Sequence, residues 1–194
     1  MIFVGVTLSS CSYQLWLKPK YFTYLYDEKS TKLDSLINLI GYYRSEIIIP
    51  KQVVTSTNGY TSKSYIELFL FYKNGTVASM STSDLDGILS NNSSSYSWGI
   101  YKISNDTIKS QIITDFGPMM SPGVFDRRFI IMSDTTLRMI YEKELGLESP
   151  PNKLKGNEFY YFHSYPNRID STSNPYLKKK WFWDKKVWKK QKKD

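Results

Sequence analysis

An all-β fold, an antiparallel up-and-down barrel of about eight to nine strands after one short amino-terminal helix, is predicted by three observations. Tyrosine, phenylalanine and tryptophan make up 16% of the 194 residues, and aromatic residues favour strands. Tight hairpin signals recur along the chain, the strongest being Asn74-Gly75 between two apolar runs. The predicted strands follow one another with no helix between them, which disfavours a parallel α/β fold.

The elements are predicted in chain order from residue 30. Leu33, Leu36, Ile37 and Ile40 repeat at helical spacing and predict the short helix. Nine strands are then predicted, at residues 41–49, 53–57, 65–72, 76–78, 97–103, 106–113, 128–132, 136–141 and 158–163. The turn-rich stretches 79–97 and 114–126 are predicted as long loops. In the second loop, Met119 and Met120 either cover the mouth of a pocket or fold back onto the barrel.

Composition excludes several classes of protein. A single cysteine excludes a disulfide framework, and a single histidine disfavours transition-metal catalysis, which usually draws on several imidazoles. No apolar run approaches the roughly 20 residues of a membrane-spanning helix. No phosphate-binding loop, dinucleotide fingerprint or nucleophile elbow occurs, and His163 is expected to be an ordinary strand residue. We therefore expect a protein that is not an enzyme and has no metal or cofactor.

The position of the one cysteine is informative. Leu8-Ser9-Ser10-Cys11 follows a short apolar run and resembles the lipobox of bacterial lipoproteins. The resemblance implies that residues 1–10 are the remnant of a signal peptide and that Cys11 carries acyl chains, which anchor a domain durably. It also implies the cell envelope, with the periplasmic face of an outer membrane favoured by Ser12. The alternative is a first strand over residues 2–8 with an ordinary buried cysteine.

A second resemblance concerns the start of the barrel. Asn38-Leu-Ile-Gly41-Tyr-Tyr43 is similar to the lipocalin motif Asn-x-x-Gly-x-Trp-Tyr, with tyrosine in place of the tryptophan. In that family the glycine allows a close turn and the aromatic ring closes the barrel floor. The resemblance implies a lipocalin-like barrel, and bacterial lipocalins are often outer-membrane lipoproteins. The aromatic residues expected to line a ligand pocket are Tyr42, Phe69, Phe71, Trp98 and Tyr101.

The net charge of +8 belongs almost entirely to the carboxyl terminus. Residues 178–194 contain nine lysines and two aspartates, whereas the rest of the chain has 17 basic and 16 acidic residues. This segment resembles the carboxyl termini of small Bacteroides-group lipoproteins. Its tryptophans either pack on the barrel or meet an anionic surface with the lysines, and nucleic acid is the least favoured partner. The residues predicted for anionic-surface binding are Lys178, Lys179, Lys180, Trp181, Trp183, Lys185, Lys186, Trp188, Lys189 and Lys190.

The predicted organisation is a tether over residues 11–29, one barrel domain over 30–165, a linker over 166–177 and a basic aromatic tail over 178–194. The predicted function is that of a membrane-anchored, non-enzymatic envelope lipoprotein whose barrel binds a small apolar ligand or a protein partner. The alternative is an interaction module that docks through its tail on anionic lipid, the cell wall or an envelope complex.

Overall fold

The computed structural model describes residues 18–26, 33–45, 49–55, 59–85, 96–114, 122–146 and 158–184. Cys11, Met119, Met120 and the tail residues Lys185, Lys186, Trp188, Lys189 and Lys190 lie outside these ranges. In the described part of the chain, no helix is long and apolar enough to cross a membrane.

Nine strands form one antiparallel sheet, and eight of them close into a barrel. The sheet order is β1-β9-β8-β7-β6-β5-β4-β3-β2, and β1 also pairs with β3. β2 lies outside this closing seam and, among the described strands, pairs with β3. The strands are β1 (Gly41–Ser45), β2 (Ile49–Thr55), β3 (Gly59–Phe71), β4 (Thr76–Thr82), β5 (Ser97–Ser104), β6 (Thr107–Thr114), β7 (Gly123–Ser133), β8 (Thr136–Glu144) and β9 (Glu158–Ser164). The predicted all-β barrel is confirmed.

The strand boundaries differ from the predicted ones where polar residues continue a strand. β4 runs to Thr82 and β7 begins at Gly123, so both predicted loops are shorter than expected. Cross-strand pairing, such as Phe69 with Ser79 and Gln111 with Asp126, holds these polar residues in the sheet. In the described residues the amino-terminal helix is a single 3-10 turn, Leu33–Ser35. Leu36 and Ile40 stay 40% and 65% exposed, so packing supports only one side of the turn.

One end of the barrel is plugged. Leu33 and Ile37 are buried against the interior cluster, and the Asn38 amide donates to the Asp134 carbonyl. Tyr43, at the tryptophan position of the lipocalin-like motif, is fully buried, and its hydroxyl donates to the Asp134 carbonyl over 2.8 Å. Burial raises the pKa of this hydroxyl, which stays a neutral donor. The side chain therefore closes the floor, as the motif implies.

The barrel has a second core on its outer surface. Alternate residues of the strands on one side form an outer apolar cluster that is covered by residues 18–26 and 165–184. Phe182 lies beneath this cover, with its ring centroid 5.8 Å from those of Phe22 and Tyr26. The two covering segments also pair, because the Tyr26 amide donates to the Phe182 carbonyl and the Asp184 amide donates to the Tyr26 carbonyl. The barrel residues of the cluster are Tyr42, Leu68, Leu70, Tyr72, Ala78, Trp98, Ile100, Ile113 and Val124.

Candidate binding site at the open end of the barrel

The two ends of the barrel have different connections. At the plugged end, β3–β4, β5–β6 and β7–β8 are joined by tight turns, and Asn105 adopts the positive φ of 57° that such a turn requires. At the other end, the connections span residues 83–96, 115–122 and 145–157. Long connections at one end of a rigid barrel are the usual place for a binding site. We call this the open end.

The interior next to the plug is filled by side chains. Phe69, Phe71 and Tyr101 face the interior, as predicted, and are no more than 1% exposed. Their rings contact one another, with 5.4 Å between the centroids of Phe71 and Tyr101 and 6.4 Å between those of Phe69 and Phe71. These aromatic residues form a packed floor.

Tyr42 and Trp98 do not face the interior, contrary to the prediction. Each neighbours an inward position, Tyr43 or Gly99, and alternation along a strand turns the next side chain outward. Both belong to the outer apolar cluster, where Tyr42 stacks on His163 and Trp98 stacks on Tyr72. Alternation gives each of these strands two apolar faces that look alike in the sequence. Which of them points outward depends on where residues 18–26 and 165–184 cover the barrel.

Above the packed floor, toward the open end, the interior is charged. Arg127 on β7 is 7% exposed, and its Nη2 lies 2.7 Å from Oε1 of Glu67 on β3. Its Nε donates to Oε2 of Glu142 on β8 over 2.6 Å. The Tyr160 hydroxyl on β9 donates to the second oxygen of Glu67 over 3.0 Å. The polar cluster Glu67–Arg127–Glu142–Tyr160 therefore joins four strands across the barrel interior.

Aromatic rings hold the guanidinium group in place. The Arg127 Cζ atom lies 5.1 Å from the ring centroids of both Phe69 and Phe125. Burial lowers the pKa of Arg127, but Glu67 and Glu142 outweigh burial and raise it, so the group stays charged. Burial and the nearby Glu67 carboxylate raise the pKa of Tyr160. Among the described residues, Nη1 of Arg127 is buried without a hydrogen-bond partner.

Carboxylates outnumber cations in this layer. Glu158 lies on the inward side of β9, two residues before Tyr160. Its pKa is raised by desolvation and by repulsion from Glu142 and Glu67, with Arg127 acting in the opposite direction. Three carboxylates therefore lie in the field of one guanidinium, which pairs with two of them. Within the described ranges, no group of three acidic, histidine or cysteine side chains is arranged to hold a metal ion.

The sequence prediction missed this cluster. Glu67 and Arg127 occupy inward positions of strands whose neighbouring inward residues, Phe69 and Phe129, are buried and apolar. A charged residue two positions from a buried apolar residue lies on the same face of the strand, and this pattern could have predicted buried charges in the interior. The pattern alone does not show which charges meet, because Glu67 and Arg127 are 60 positions apart and lie on strands that are not neighbours in the sheet.

Five of the predicted anionic-surface residues lie in the described part of the chain: Lys178, Lys179, Lys180, Trp181 and Trp183. Trp183 is 6% exposed, and its Nε1 donates to the Leu177 carbonyl, so its ring is not available at the surface, contrary to that prediction. Trp181 is partly buried against Phe22 and Tyr176. Lys178 and Lys180 are exposed and Lys179 is partly buried. Residues 166–177, predicted as a linker, pack on the barrel with Asn174 and Tyr176 buried.

Comparison of the chain with protein-family models, with curated proteins and with solved structures gives no match in any of the three.

Proposed function

We propose that this protein is a non-enzymatic cell-envelope lipoprotein, anchored in the outer membrane through acyl chains on Cys11, whose barrel binds a small ligand at its open end. The ligand is mainly apolar and carries a positively charged group. The observation that carries the proposal is the interior cluster of Glu67, Glu142 and Glu158 around one arginine, directly above an aromatic floor.

The charge of the ligand follows from this arrangement. Arg127 pairs with Glu67 and Glu142, and for Glu158 its attraction is outweighed by desolvation and by repulsion from these two carboxylates. An ammonium group placed among the three carboxylates would stabilise their charged forms, whereas a carboxylate would add to the repulsion. The aromatic floor provides apolar contact for the rest of the ligand.

The binding proposal is tested with matched alkyl probes. Dodecylamine, dodecanol and dodecanoate are used to displace the fluorescent probe N-phenyl-1-naphthylamine from the full chain at pH 7. We expect dodecylamine to bind about ten-fold more tightly than dodecanoate, since about 1.4 kcal/mol of electrostatic preference gives that ratio. Glu158→Gln should lower the preference, and Asp106→Asn, the same charge change in an exposed turn at the plugged end, should not. Equal displacement by all three probes, or preference for dodecanoate, would contradict the proposal.

The anchor is tested by mass. The full chain, expressed in a bacterial host with the sequence that precedes it in its gene, is extracted from membranes and weighed intact beside Cys11→Ala. A mass that begins at Cys11 with added acyl chains, lost in the variant, supports the lipoprotein. An unmodified chain that retains residues 1–10 contradicts it.

A second candidate function is the docking of the tail on anionic lipid, and the pairing of Tyr26 with Trp183 favours it. This pairing places Asp184, which precedes the lysine-rich residues 185–194 in the chain, beside the described segment 18–26, which follows Cys11, so an acylated amino terminus would bring the tail to the same membrane surface. Removal of residues 185–194 leaves the buried Phe182 and Trp183 in place. We expect this truncation to reduce sedimentation of the unacylated chain with phosphatidylglycerol vesicles and to leave phosphatidylcholine vesicles unbound. Unchanged sedimentation would contradict tail docking.

A further inference from the structure

The surface of the barrel opposite the outer apolar cluster carries an excess of positive charge. On β1, β9, β8, β7 and β6, the outward positions that residues 18–26 and 165–184 leave uncovered contain five cations and one carboxylate, Asp126. We call this surface the basic face. Its cations are Arg44, Lys109, Arg128, Arg138 and Lys143.

The cause of this excess lies inside the barrel. Residues 1–177 are almost neutral, with 17 basic and 16 acidic residues. The register places Glu67, Glu142, Glu144 and Glu158 on the inward side of their strands, where Arg127 pairs with Glu67 and Glu142. Because the interior takes up carboxylates, the outer surface retains the cations.

Two arginines of the basic face flank a pair of stacked aromatic rings. Arg44 on β1 is directly opposite Tyr161 on β9, and Arg138 on β8 is directly opposite Phe159. The rings of Phe159 and Tyr161 stack with 6.4 Å between their centroids, and Tyr161 is 37% exposed. Within the described residues neither Arg44 nor Arg138 has a carboxylate partner, and Nε of Arg138 is buried without a hydrogen-bond partner.

The remaining residues of the basic face match the composition of protein interfaces. Ile140, beside Arg138, is 44% exposed, and Arg128 lies 4.3 Å from the ring centroid of Tyr141. Interface cores are enriched in aromatic residues and arginine, and guanidinium groups bind carboxylates through two parallel hydrogen bonds. The exposed Ile140 gives a peptide an apolar contact beside the arginines.

The size of the face limits the partner to a segment of chain. Five neighbouring strands at about 4.8 Å spacing span roughly 19 Å between the outermost strands, and five residues along a strand span roughly 17 Å. This area is below the roughly 800 Å² per partner of a standard interface between folded domains. We propose that the basic face binds an acidic peptide segment of a partner protein, with Arg44 and Arg138 pairing with its carboxylates on either side of the Phe159–Tyr161 rings. The proposal does not depend on a ligand in the barrel.

The test measures binding of fluorescein-labelled poly-L-glutamate to the full chain by anisotropy. We expect Arg44→Gln combined with Arg138→Gln to weaken binding about ten-fold, since two ion pairs at partly exposed sites together contribute about 1.4 kcal/mol, which corresponds to that ratio. The matched control is Lys178→Gln combined with Lys180→Gln, which removes the same charge from exposed positions of the tail and should change binding less than about two-fold. Tyr161→Ala, at an exposed ring, tests the face without changing charge and should also weaken binding.

Three results would overturn the proposal. An equal effect of the arginine and lysine pairs would show attraction to net charge alone. Unchanged binding in both the arginine double variant and Tyr161→Ala would show that the basic face is not the binding site. Tighter binding of oligothymidylate or phosphatidylglycerol vesicles than of poly-L-glutamate, lost with the same arginines, would assign the face to a different partner. Circular dichroism of each variant establishes that the fold is kept, and Arg44→Gln alone replaces the pair if the double variant does not fold.

Discussion

Arg127 shows at the scale of a single residue how a buried charge is tolerated in this barrel. Its guanidinium group has carboxylates at Nε and Nη2 and aromatic rings on both sides. A buried ion pair adds little net stability compared with apolar residues, but the removal of one partner leaves an uncompensated charge. The cluster therefore makes Arg127 sensitive to substitution even where it does not increase stability.

Arg127→Met is expected to lower the free energy of unfolding by about 3–5 kcal/mol, because Glu67 and Glu142 lose their shared partner in the interior. Urea denaturation measures the change. Arg44→Met, which removes an arginine from the outer surface, is the control and should cost no more than about 0.5 kcal/mol. A loss below 1 kcal/mol for Arg127→Met would mean that the interior carboxylates are solvated or protonated.

Glu158 predicts a dependence of stability on pH. Its pKa is raised above the ordinary 4.5 by desolvation, then by Glu142 and Glu67. The folded chain therefore binds the proton more strongly than the unfolded chain, and stability is lost as the pH rises through the folded pKa. Glu158→Gln should raise the melting temperature at pH 7, and the difference should disappear at about pH 4, where both states are protonated. A stabilisation that is equal at the two pH values would contradict this explanation.

At the scale of elements, one side of the outer barrel surface is covered by two segments, residues 18–26 and 165–184, that have little regular secondary structure. Residues 175–182 form two 3-10 turns, and Asn174 caps the first of them by accepting a hydrogen bond from the Tyr176 amide. These turns are held by packing, since Tyr176 and Phe182 are at most 5% exposed. The carboxyl-terminal segment is therefore part of the core of the domain up to Asp184.

Phe182→Ala should destabilise the chain by about 3–5 kcal/mol, the usual cost of removing a fully buried phenylalanine ring. Thermal or urea unfolding measures it. Tyr161→Ala, which removes an exposed ring from the opposite surface, is the control and should have a small effect. If Phe182→Ala behaved like the control, the segment would not be part of the cooperative unit.

The long strand β3 has two different environments. Residues 66–71 pair with β4, while residues 59–65 pair only with β2. Two-stranded ribbons are marginally stable, so their hydrogen bonds open more readily than those of a closed barrel. Hydrogen-exchange mass spectrometry should show faster exchange in 59–65 than in 66–71. Equal protection would require an additional contact that shields the ribbon.

At the scale of the whole molecule, folding separates charge between the interior and the surface. The chain ending at Asp184 has 20 basic and 17 acidic residues, and four of its glutamates face the barrel interior. The folded surface is therefore more basic than the composition indicates. Charge counted along the sequence assigns the basic character to the tail alone.

This separation predicts a chromatographic difference. At pH 7 the folded chain ending at Asp184 should be retained more strongly on a cation exchanger than the same chain unfolded in urea, because unfolding exposes the interior carboxylates. The elution salt concentration in the two conditions measures it. Equal retention would mean that the interior glutamates already contribute to the surface potential.

Several features were predictable because local chemistry determines them. Asn74-Gly75 forms the tight turn that its composition indicates, and Gly75 adopts a φ of 90°. Gly41 begins β1 as the motif implies, since a Cβ there would overlap the His163 carbonyl oxygen and the Phe162 ring. The choice of face for Tyr42 and Trp98 was not predictable in this way, because it depends on the chain segments that cover the outer surface.

The sequence by itself determined the strand content and the order of the hairpins, because turn geometry and alternation act over a few neighbouring positions. Only the tertiary structure decided that Glu67, Arg127, Glu142 and Tyr160 meet, that Trp181 and Trp183 pack on the barrel, and that the opposite surface is basic. These properties come from pairs of residues far apart in the chain, and barrel closure is what brings them together.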